Sequence, residues 1–561
     1  MWKLFLCRIM LLLTSLRPDR DPPETGQLLR YTEVPSIQER RDALLARRVS
    51  VLADLAEVDR GLNATVPVNQ LPDELVVEIL AYLVEDGHKQ ASCPWRSMME
   101  VCHRWRVIIC NTPFFWRQVS VGSKLDWLMV CLERCGTAPL VEISFNEPDV
   151  PHQALPSTLA PYSSVIRSLA FHNVDWQWET SLTALFTLNM PVLERLVVKN
   201  TNLDRICTGL QLPGLQFPQL KSFTLSGFAV PDHLALCQEL NRIEFRNTPV
   251  FMGLVKFFSD MRANTQLQDI ILSDSYNEVP AMLQIPVPTA PPLDLPRVRK
   301  FHLSSGARPV LQQILYDLRT PNATDISITG VVRGPPDVPG NHLFVHRLLP
   351  GPRMPLEIMP TLATPKTVVL KLEGRGPVVL EACNDKQRIR FAVSDHADWL
   401  MVNKHLLGIC LNDIIDLFSS APVTSITVHS DHLYRVRYSL WRALFSSFTQ
   451  LETLKLSGLG VYADMWEGLK EASTTWTAPE MSCHRLKTID LDHVWLGPRD
   501  NYDSLFRPIS EALRYRAMHG CRLQTLRMRI KLNSPEDDLA FRRTYFPALC
   551  TSVDTIIYYS Y

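Results

Sequence analysis

Glycine is scarce in this chain of 561 residues, and net charge is absent. The 22 glycines make up about 4% of the chain against roughly 7% on average, so few turns depend on glycine. Lysine plus arginine number 58, and so do aspartate plus glutamate. Because no global positive field exists, we expect binding to neither nucleic acid nor a membrane surface without a local basic patch. Hydrophobic residues at 46% and charged residues at 21% exclude a wholly disordered or fibrous chain.

Long hydrophobic runs and a disulfide framework are also lacking. No window reaches about 18 uninterrupted apolar residues, the length that predicts a membrane span. The 13 cysteines are an odd number without regular spacing, which favours reduced thiols and a cytoplasmic or nuclear location. Residues 1–16 resemble a signal peptide, but Arg8 interrupts the apolar run and no small-residue cleavage site follows. We expect residues 1–36 to be a poorly ordered or signal-like N-terminus.

Motifs of catalytic and metal centres are lacking as well. The sequence contains no P-loop, G-x-G-x-x-G, G-x-S-x-G or H-E-x-x-H pattern. Cys131 and Cys135 have no second pair at zinc-site spacing and are expected on one helix face. Two further pairs lack a third ligand nearby: His342 with His346, and His429 with His432. We therefore expect no enzyme activity, no cofactor and no metal site.

Residues 37–65 are expected to form an amphipathic helix that resembles a coiled coil. Four apolar residues recur every seven positions, with other apolar residues beside them and charged residues on the remaining face: Ile37, Leu44, Val51 and Val58. Two interpretations stay open. The helix could be a short coiled coil for self-association, or it could pack on its own domain, and its short length favours the second.

Residues 66–122 are expected to form a small helical domain. Pro72 suits a first helical turn, and Asp73 and Glu74 complement the positive end of the helix dipole. One apolar stripe is predicted on this first helix: Leu75, Val76, Ile79, Leu80 and Leu83. A second stripe follows further along: Met98, Val101, Cys102, Trp105, Ile108 and Ile109. Because about fifty residues bury little core by themselves, we expect this domain to need a partner.

From residue 123 to 561 the chain repeats a pattern of the form L-x-x-L-x-L. Clear copies begin at five leucines: Leu193, Leu220, Leu240, Leu451 and Leu486. Helix-like segments lie between the copies: 251–261, 310–318, 411–418, 440–448 and 505–515. A strand alternating with a helix at about 27-residue intervals is typical of a leucine-rich-repeat solenoid, in which stacked units bury a common core. An ordinary α/β domain is the less favoured alternative.

Two departures from a regular repeat are apparent. The ninth position of the unit is neither Asn nor Cys, so the polar ladder of regular leucine-rich repeats is missing. Proline-dense stretches predict loop insertions near 279–297 and 331–400, of which residues 366–400 favour a β-hairpin insertion. The expected fold class is therefore α plus α/β: a small helical domain followed by an irregular solenoid.

The helical domain resembles an F-box. The resemblance is carried by Leu71-Pro72-Asp73-Glu74-Leu75, then Ile79-Leu80 and Leu83, then Val101-Cys102-His103-Arg104-Trp105, and finally Trp116. The segment between Leu83 and Val101 is several residues longer than is usual in that family. With the preceding coiled-coil-like helix and the degenerate repeats, the chain is similar to the expanded F-box families of basidiomycete fungi.

The resemblance implies a substrate-recognition subunit of an SCF-type cullin-RING ubiquitin ligase. Its F-box would bind a Skp-type adaptor and, through it, cullin, while the repeats would bind an unknown protein target. The alternative is a non-ligase interaction scaffold of the same architecture. The implied adaptor-binding residues are Leu71, Pro72, Leu75, Ile79, Leu80, Leu83, Val101, Cys102, Trp105 and Trp116.

For three of these residues a structural role is an open alternative. Trp105 is equally well explained as a core residue, and for Val101 and Cys102 a place on the apolar stripe is slightly favoured. Candidate target contacts are charged residues at strand positions expected to be exposed, although a solvated surface is the favoured interpretation for most: Arg195, Lys221, Arg242, Glu244, Lys455 and Lys487.

Overall fold

The computed structural model forms two compact units. One contains the described residues up to Leu80 together with Ser97–Ile108, and the other contains Ala81–Arg96 and the chain from Ile109 onward. The residues described are 36–87, 94–136, 141–147, 149–200, 210, 212, 216–229, 239–248, 266–274, 292–332, 345, 348–350, 359–372, 376–395, 406–430, 436–458, 463–474, 482–495, 502–531 and 535–560. The interpretations of residues 1–35, of the segment 251–261 and of the pair His342 and His346 lie outside these residues.

The N-terminal part of the described chain is helical. Its helices are α1 (Ile37–Ala64), α2 (Asp73–Gly87), α3 (Pro94–Met98) and α4 (His103–Asn111), with 3₁₀ turns at Pro67–Gln70 and Pro113–Trp116. The helix predicted from residue 37 is therefore present. Its start is fixed by a capping box, in which Glu39 N–H donates to Ser36 Oγ at 3.2 Å and Ser36 N–H donates to the Glu39 carboxylate at 2.6 Å.

The favoured interpretation of α1, packing on its own domain, is wrong for the described residues. None of its side chains is buried. Leu44 is 61% exposed and Leu55 is 54% exposed, although both are apolar. The spacing of apolar residues predicted the helix correctly, but no described segment covers it.

The larger unit contains nineteen strands in the described residues. They are β1 (Gln118–Val121), β2 (Val141–Phe145), β3 (Ile166–Val174), β4 (Arg195–Asn200), β5 (Ser222–Ser226), β6 (Arg242–Arg246), β7 (Asp269–Asp274), β8 (Leu293–Asp294), β9 (Lys300–Ser305), β10 (Leu318–Arg319), β11 (Asp325–Val332), β12 (Thr367–Leu372), β13 (Val378–Cys383), β14 (Arg388–Asp395), β15 (Ser425–Ser430), β16 (Thr453–Gly458), β17 (Thr488–Trp495), β18 (Leu523–Lys531) and β19 (Val553–Ser560).

Helices lie between many of these strands. They are α5 (Leu125–Cys135), α6 (Leu155–Leu159), α7 (Trp178–Phe186), α8 (Arg308–Asp317), α9 (Leu406–Phe418), α10 (Tyr438–Ser447), α11 (Ala463–Thr474), α12 (Tyr502–Met518), α13 (Pro535–Thr544) and α14 (Phe546–Ser552). Four of them, α8, α9, α10 and α12, coincide with helix-like segments of the sequence. Helices α10 and α11 pack against each other, as do α11 and α12. Cys131 and Cys135 both lie on the buried face of α5, as their spacing predicted.

Seventeen strands form one sheet that is mostly parallel. Strands β1 to β7 pair each with the next, then β9 pairs with β7 and β11 with β9. The chain then places β14 beside β11, β13 beside β14 and β12 beside β13, and β15 to β19 continue from β12. Only β13 runs antiparallel to its neighbours. Strands β8 and β10 form a separate pair.

The antiparallel pairing expected within residues 366–400 is present, but its place differs from an insertion outside the repeats. Strands β12, β13 and β14 belong to the main sheet and join its two parallel halves. Their backbone hydrogen bonds continue the ladder between β11 and β15. In the sheet these strands stand in the order β14, β13, β12, the reverse of their order in the chain. Because only β13 is antiparallel, β14 is parallel to β11 and β12 is parallel to β15.

The repeated pattern places its apolar residues in rows across the sheet. The fourth position of the unit forms one row, Leu196, Phe223, Ile243 and Ile270, and the sixth forms another, Val198, Leu225, Phe245 and Leu272. All eight side chains are at most 1% exposed. Parallel strands that keep the same register bring equivalent residues together, so the sequence period becomes a continuous buried core.

Gly458, at the end of β16, occupies a backbone position that excludes side chains. Its φ is +137°, and a Cβ would lie 1.8 Å from the carbonyl oxygen of Ser430 on the neighbouring strand. By contrast, Gly61 in α1 has nothing within 4 Å of the position that a Cβ would occupy. Alanine would therefore clash with the neighbouring strand at position 458 but fit without a clash at position 61.

We predict that Gly458→Ala lowers the melting temperature of the full chain, with a loss of at least about 2 kcal/mol, because the methyl group forces the two strands apart. Gly61→Ala is the control and should leave the melting temperature unchanged or slightly higher, since alanine favours the helix. Thermal unfolding followed by circular dichroism measures both. Equal melting temperatures for the two variants would contradict the strand geometry.

Glu244 on β6 is more enclosed than its sequence position indicated. It is only 8% exposed, so the prediction that Glu244 is an exposed target contact is wrong. Its carboxylate forms ion pairs with Arg242 at 3.0 Å and with Arg246 at 2.6 Å. Burial by itself raises the pKa of Glu244, but these two guanidinium groups outweigh burial, and the pKa lies below its ordinary value of 4.5.

Glu244→Gln is expected to destabilise the chain by about 1–2 kcal/mol at neutral pH, because a neutral amide cannot balance two guanidinium groups. A carboxylate with a lowered folded-state pKa stabilises the fold above its ordinary pKa, and this contribution is lost as the pH falls through the folded-state value. The difference in melting temperature between wild type and variant should therefore be full at neutral pH and shrink below pH 4.5. The control is the exposed Glu133→Gln; a difference that does not change with pH would refute the assignment.

Candidate functional site

The start of α2 is set by its local sequence. Leu71 has the extended backbone, with φ −66° and ψ 150°, that a residue before proline prefers. Pro72 accepts the first intrahelical hydrogen bond through its carbonyl, from Val76 N–H at 3.2 Å. Asp73 and Glu74 lie in the first turn, where negative charge is favourable. Pro72 itself is exposed and Leu71 is partly buried.

Helix α2 is apolar on two faces, which corrects the prediction of one stripe. Its buried face contains Val76, Leu80 and Val84, at 1%, 0% and 7% exposure. Its second face contains four residues at helical spacing that remain exposed: Leu75 at 45%, Ile79 at 39%, Tyr82 at 69% and Leu83 at 44%. We call these four residues the outer face of α2. Covering such side chains is favourable, at roughly 25 cal/mol per Å² of apolar surface removed from water.

Arg104 of α4 holds the segment that leads into α2. Its Nη2 donates to the Leu71 carbonyl at 2.6 Å and forms an ion pair with the Asp73 carboxylate at 2.5 Å. Its Nη1 donates to the carbonyl of Asn69. One guanidinium group thus ties together the 3₁₀ turn, the extended residue before Pro72 and the first turn of α2. The planar group with five donors suits this task, which a lysine could not perform.

Trp105 adds a second contact to the same turn. Its indole N–H donates to the Asn69 side-chain oxygen at 2.8 Å, and the side chain is half-buried. A buried or half-buried indole N–H usually finds such an acceptor. Trp105 thus supports the 3₁₀ turn and is still partly exposed, so both a structural role and contact with a partner remain predictions for it.

Tryptophans also form a cluster in the larger unit. The rings of Trp95 and Trp116 lie 4.5 Å apart, and Trp127 lies 5.8 Å from each of them. The Trp116 indole N–H donates to the Ile109 carbonyl at 2.7 Å, and the Arg134 guanidinium lies 4.6 Å from the Trp116 ring. Trp95 and Trp116 are buried, so these two rings belong to the core, whereas Trp127 is partly exposed.

The residues implied by the F-box resemblance divide by exposure. Seven are exposed or partly exposed: Leu71, Pro72, Leu75, Ile79, Leu83, Val101 and Trp105. Three are buried and cannot contact a second protein in the described conformation: Leu80, Cys102 and Trp116. Their apolar spacing does not separate core from surface, because both faces of these helices carry apolar residues.

Four further residues of this region were missed by the sequence reasoning. Tyr82 lies seven positions after Leu75, so helical spacing could have placed it on the outer face. Val107 is 41% exposed on α4. Arg104 belongs to the motif that carries the F-box resemblance but had no role assigned to it, and Asn69 gave no signal, since their hydrogen bonds join segments more than thirty residues apart.

The outer face of α2 is suited to contact with a protein. Tyrosine and large aliphatic side chains provide contact area, and the face is free of ionised groups at all four positions. Among the residues that the structure describes, no group of three or more His, Cys, Asp or Glu side chains could hold a metal ion. In the same residues, no helix combines the length and the apolar character needed to cross a membrane.

Comparison with known proteins identifies the region that contains this site. Residues 68–121 match the model of the F-box-like family. The match begins in the 3₁₀ turn before α2, includes the Arg104 contacts and Trp116, and ends with β1. No curated protein matches the chain. The chain thus contains an F-box-like domain, which implies binding of a Skp-type adaptor.

Arg104→Ala is predicted to loosen the start of α2 because three acceptors lose their shared donor. Hydrogen exchange of the full chain should show faster exchange in residues 67–76, with local opening favoured by about 1–3 kcal/mol. Arg106→Ala is the matched control, since Arg106 donates to the Met99 carbonyl and contacts neither the turn nor Asp73. Unchanged exchange in Arg104→Ala, or an equal change in both variants, would show that Arg104 does not hold this segment.

Proposed function

We propose that this chain is the substrate-recognition subunit of an SCF-type ubiquitin ligase and that it binds a Skp-type adaptor through the outer face of α2. The observation that carries the proposal is the row of exposed apolar residues within the F-box-like match: Leu75, Ile79, Tyr82 and Leu83. The role is non-catalytic. The chain presents a target, and other subunits perform the transfer.

Energetics support an interface centred on these side chains. Each is between about two fifths and two thirds exposed, so each has apolar area left to bury. Full burial of an aliphatic side chain is worth about 1.5–3 kcal/mol, and a few central residues usually dominate an interface. The buried row of Val76, Leu80 and Val84 supports the helix from the other side. Pro72 and Arg104 act by positioning the helix start.

We further propose that the sheet unit is an irregular leucine-rich-repeat-like solenoid that binds the protein target. The in-register rows of buried apolar residues support this assignment. Two residues named as target contacts are exposed, Arg195 and Lys455. Three others form ion pairs with residues in or directly before a neighbouring strand: Lys221 with Glu194, Arg242 with Asp269, and Lys487 with Glu452. We place the protein in the cytoplasm or nucleus, where such ligases act, and the likeness to basidiomycete families is part of the same proposal.

Binding to a Skp-type adaptor tests the proposal directly. Leu75→Ala is expected to weaken binding about tenfold, and Leu75→Ala with Ile79→Ala about a hundredfold, because each removes part of the central contact. Leu539→Ala is the matched control, since Leu539 is also an exposed leucine of the same chain, at 52%. Calorimetric titration of the full chain with the adaptor gives the dissociation constants.

Circular dichroism should be the same for all three variants, because none of the changed side chains is buried. Failure of the wild-type chain to bind the adaptor, or equal weakening by Leu539→Ala, would refute the proposal. Addition of cullin distinguishes a ligase subunit from an interaction scaffold. Cullin should join the complex of chain and adaptor, and adaptor binding without cullin would favour the scaffold.

A further inference from the structure

Helix α1 exposes an apolar surface that the adaptor interface does not use. If Ile37 is assigned heptad position d, the d positions are Ile37, Leu44, Val51 and Val58, and the a positions are Arg41, Arg48, Leu55 and Leu62. We call these eight residues the α1 seam. Six of them are apolar, and each of those six is more than half exposed. An exposed apolar row of this length on a 28-residue helix indicates a binding surface.

Charge is distributed unevenly along the same helix. The first half carries four arginines against two acids, Glu39 and Asp42; the arginines are Arg40, Arg41, Arg47 and Arg48. The second half carries Asp54, Glu57 and Asp59 against a single arginine, Arg60. The helix therefore has a basic end and an acidic end. If α1 of a second copy ran antiparallel to it, the basic half of each helix would lie beside the acidic half of the other.

We propose that α1 forms an antiparallel two-helix coiled coil with α1 of a second copy of this chain. In an antiparallel pair, each a residue faces a d residue of the other helix. One register pairs every residue of the seam: Ile37 with Leu62, Arg41 with Val58, Leu44 with Leu55, and Arg48 with Val51 of the second copy. The arrangement is isologous, so each contact occurs twice, as a twofold axis requires.

A parallel pair is less favourable than an antiparallel one because of the two arginines of the seam. Residues at a face their own counterparts in a parallel dimer, which would place Arg41 on Arg41 and Arg48 on Arg48 of the second copy. Like charges at such positions are destabilising. In the antiparallel register each arginine faces valine instead and lies beside the acidic half of the other helix.

The flanking positions agree with the same register. In an antiparallel pair, g residues face g residues and e residues face e residues. Arg47 and Asp54 both occupy g, and Arg47 of one helix faces Asp54 of the other, twice in the dimer. Leu45 and Leu52 both occupy e and also meet, which adds to the apolar contact. A single alignment thus satisfies the apolar layers and the charges together.

Sedimentation equilibrium of the full chain tests the proposal. Wild type should form a dimer, and Leu55→Glu should weaken its association at least a hundredfold by placing a charge in the seam. Leu55 is 54% exposed, so this variant should fold normally, with an unchanged circular dichroism spectrum. A wild-type chain that stays monomeric at tens of micromolar, or a dimer unaffected by Leu55→Glu, overturns the proposal.

Charge exchange tests the orientation. Arg47→Glu and Asp54→Arg should each weaken the dimer about tenfold, because each turns two attractive contacts into repulsive ones. The double variant Arg47→Glu with Asp54→Arg should restore wild-type association. Arg60→Glu is the matched control, since position f points away from the seam, and it should leave association unchanged. Lack of restoration in the double variant overturns the antiparallel register, and adaptor binding, which uses α2, should be the same in every α1 variant.

Discussion

A helix in a small domain can bury only one of its faces, and α2 carries apolar side chains on two. Val76, Leu80 and Val84 occupy the buried face, while Leu75 and Ile79 remain exposed on the other. The proposed adaptor interface depends on this constraint. Water is excluded from the outer face only when another molecule covers it, and the helix is already fixed in place by its buried side.

Precise placement of that helix depends on a few polar contacts. Arg104 joins the carbonyls of Asn69 and Leu71 to the Asp73 carboxylate, and Trp105 adds a hydrogen bond to Asn69. These bonds hold the chain just before α2, where an extended residue and a proline leave few backbone hydrogen bonds. The position of the outer face of α2 thus depends on the guanidinium group of Arg104.

The leucine pattern predicted part of the sheet correctly and other parts wrongly. The five clear copies of the leucine pattern predicted β4, β5, β6, β16 and β17, because parallel strands in a constant register repeat one environment. The helix-like segments between copies predicted four of the helices. The pattern predicted that Glu244 is exposed, but its side chain is buried and paired with Arg242 and Arg246. It also treated residues 366–400 as a hairpin outside the array, whereas β12, β13 and β14 continue the main sheet. Pairing between strands that lie far apart in the chain is not encoded in local periodicity.

Local sequence alone was sufficient for the elements whose causes are local. These include the helix predicted from residue 37, the start of α2 after Pro72, the buried rows of the repeated strands and the resemblance to an F-box. Tertiary structure decided which apolar residues face outward, so that Leu80 and Trp116 are buried while Leu75 is exposed. The physical reason is that periodicity tells which residues share a face of a helix, but only the segments that fold against that face determine whether water reaches it.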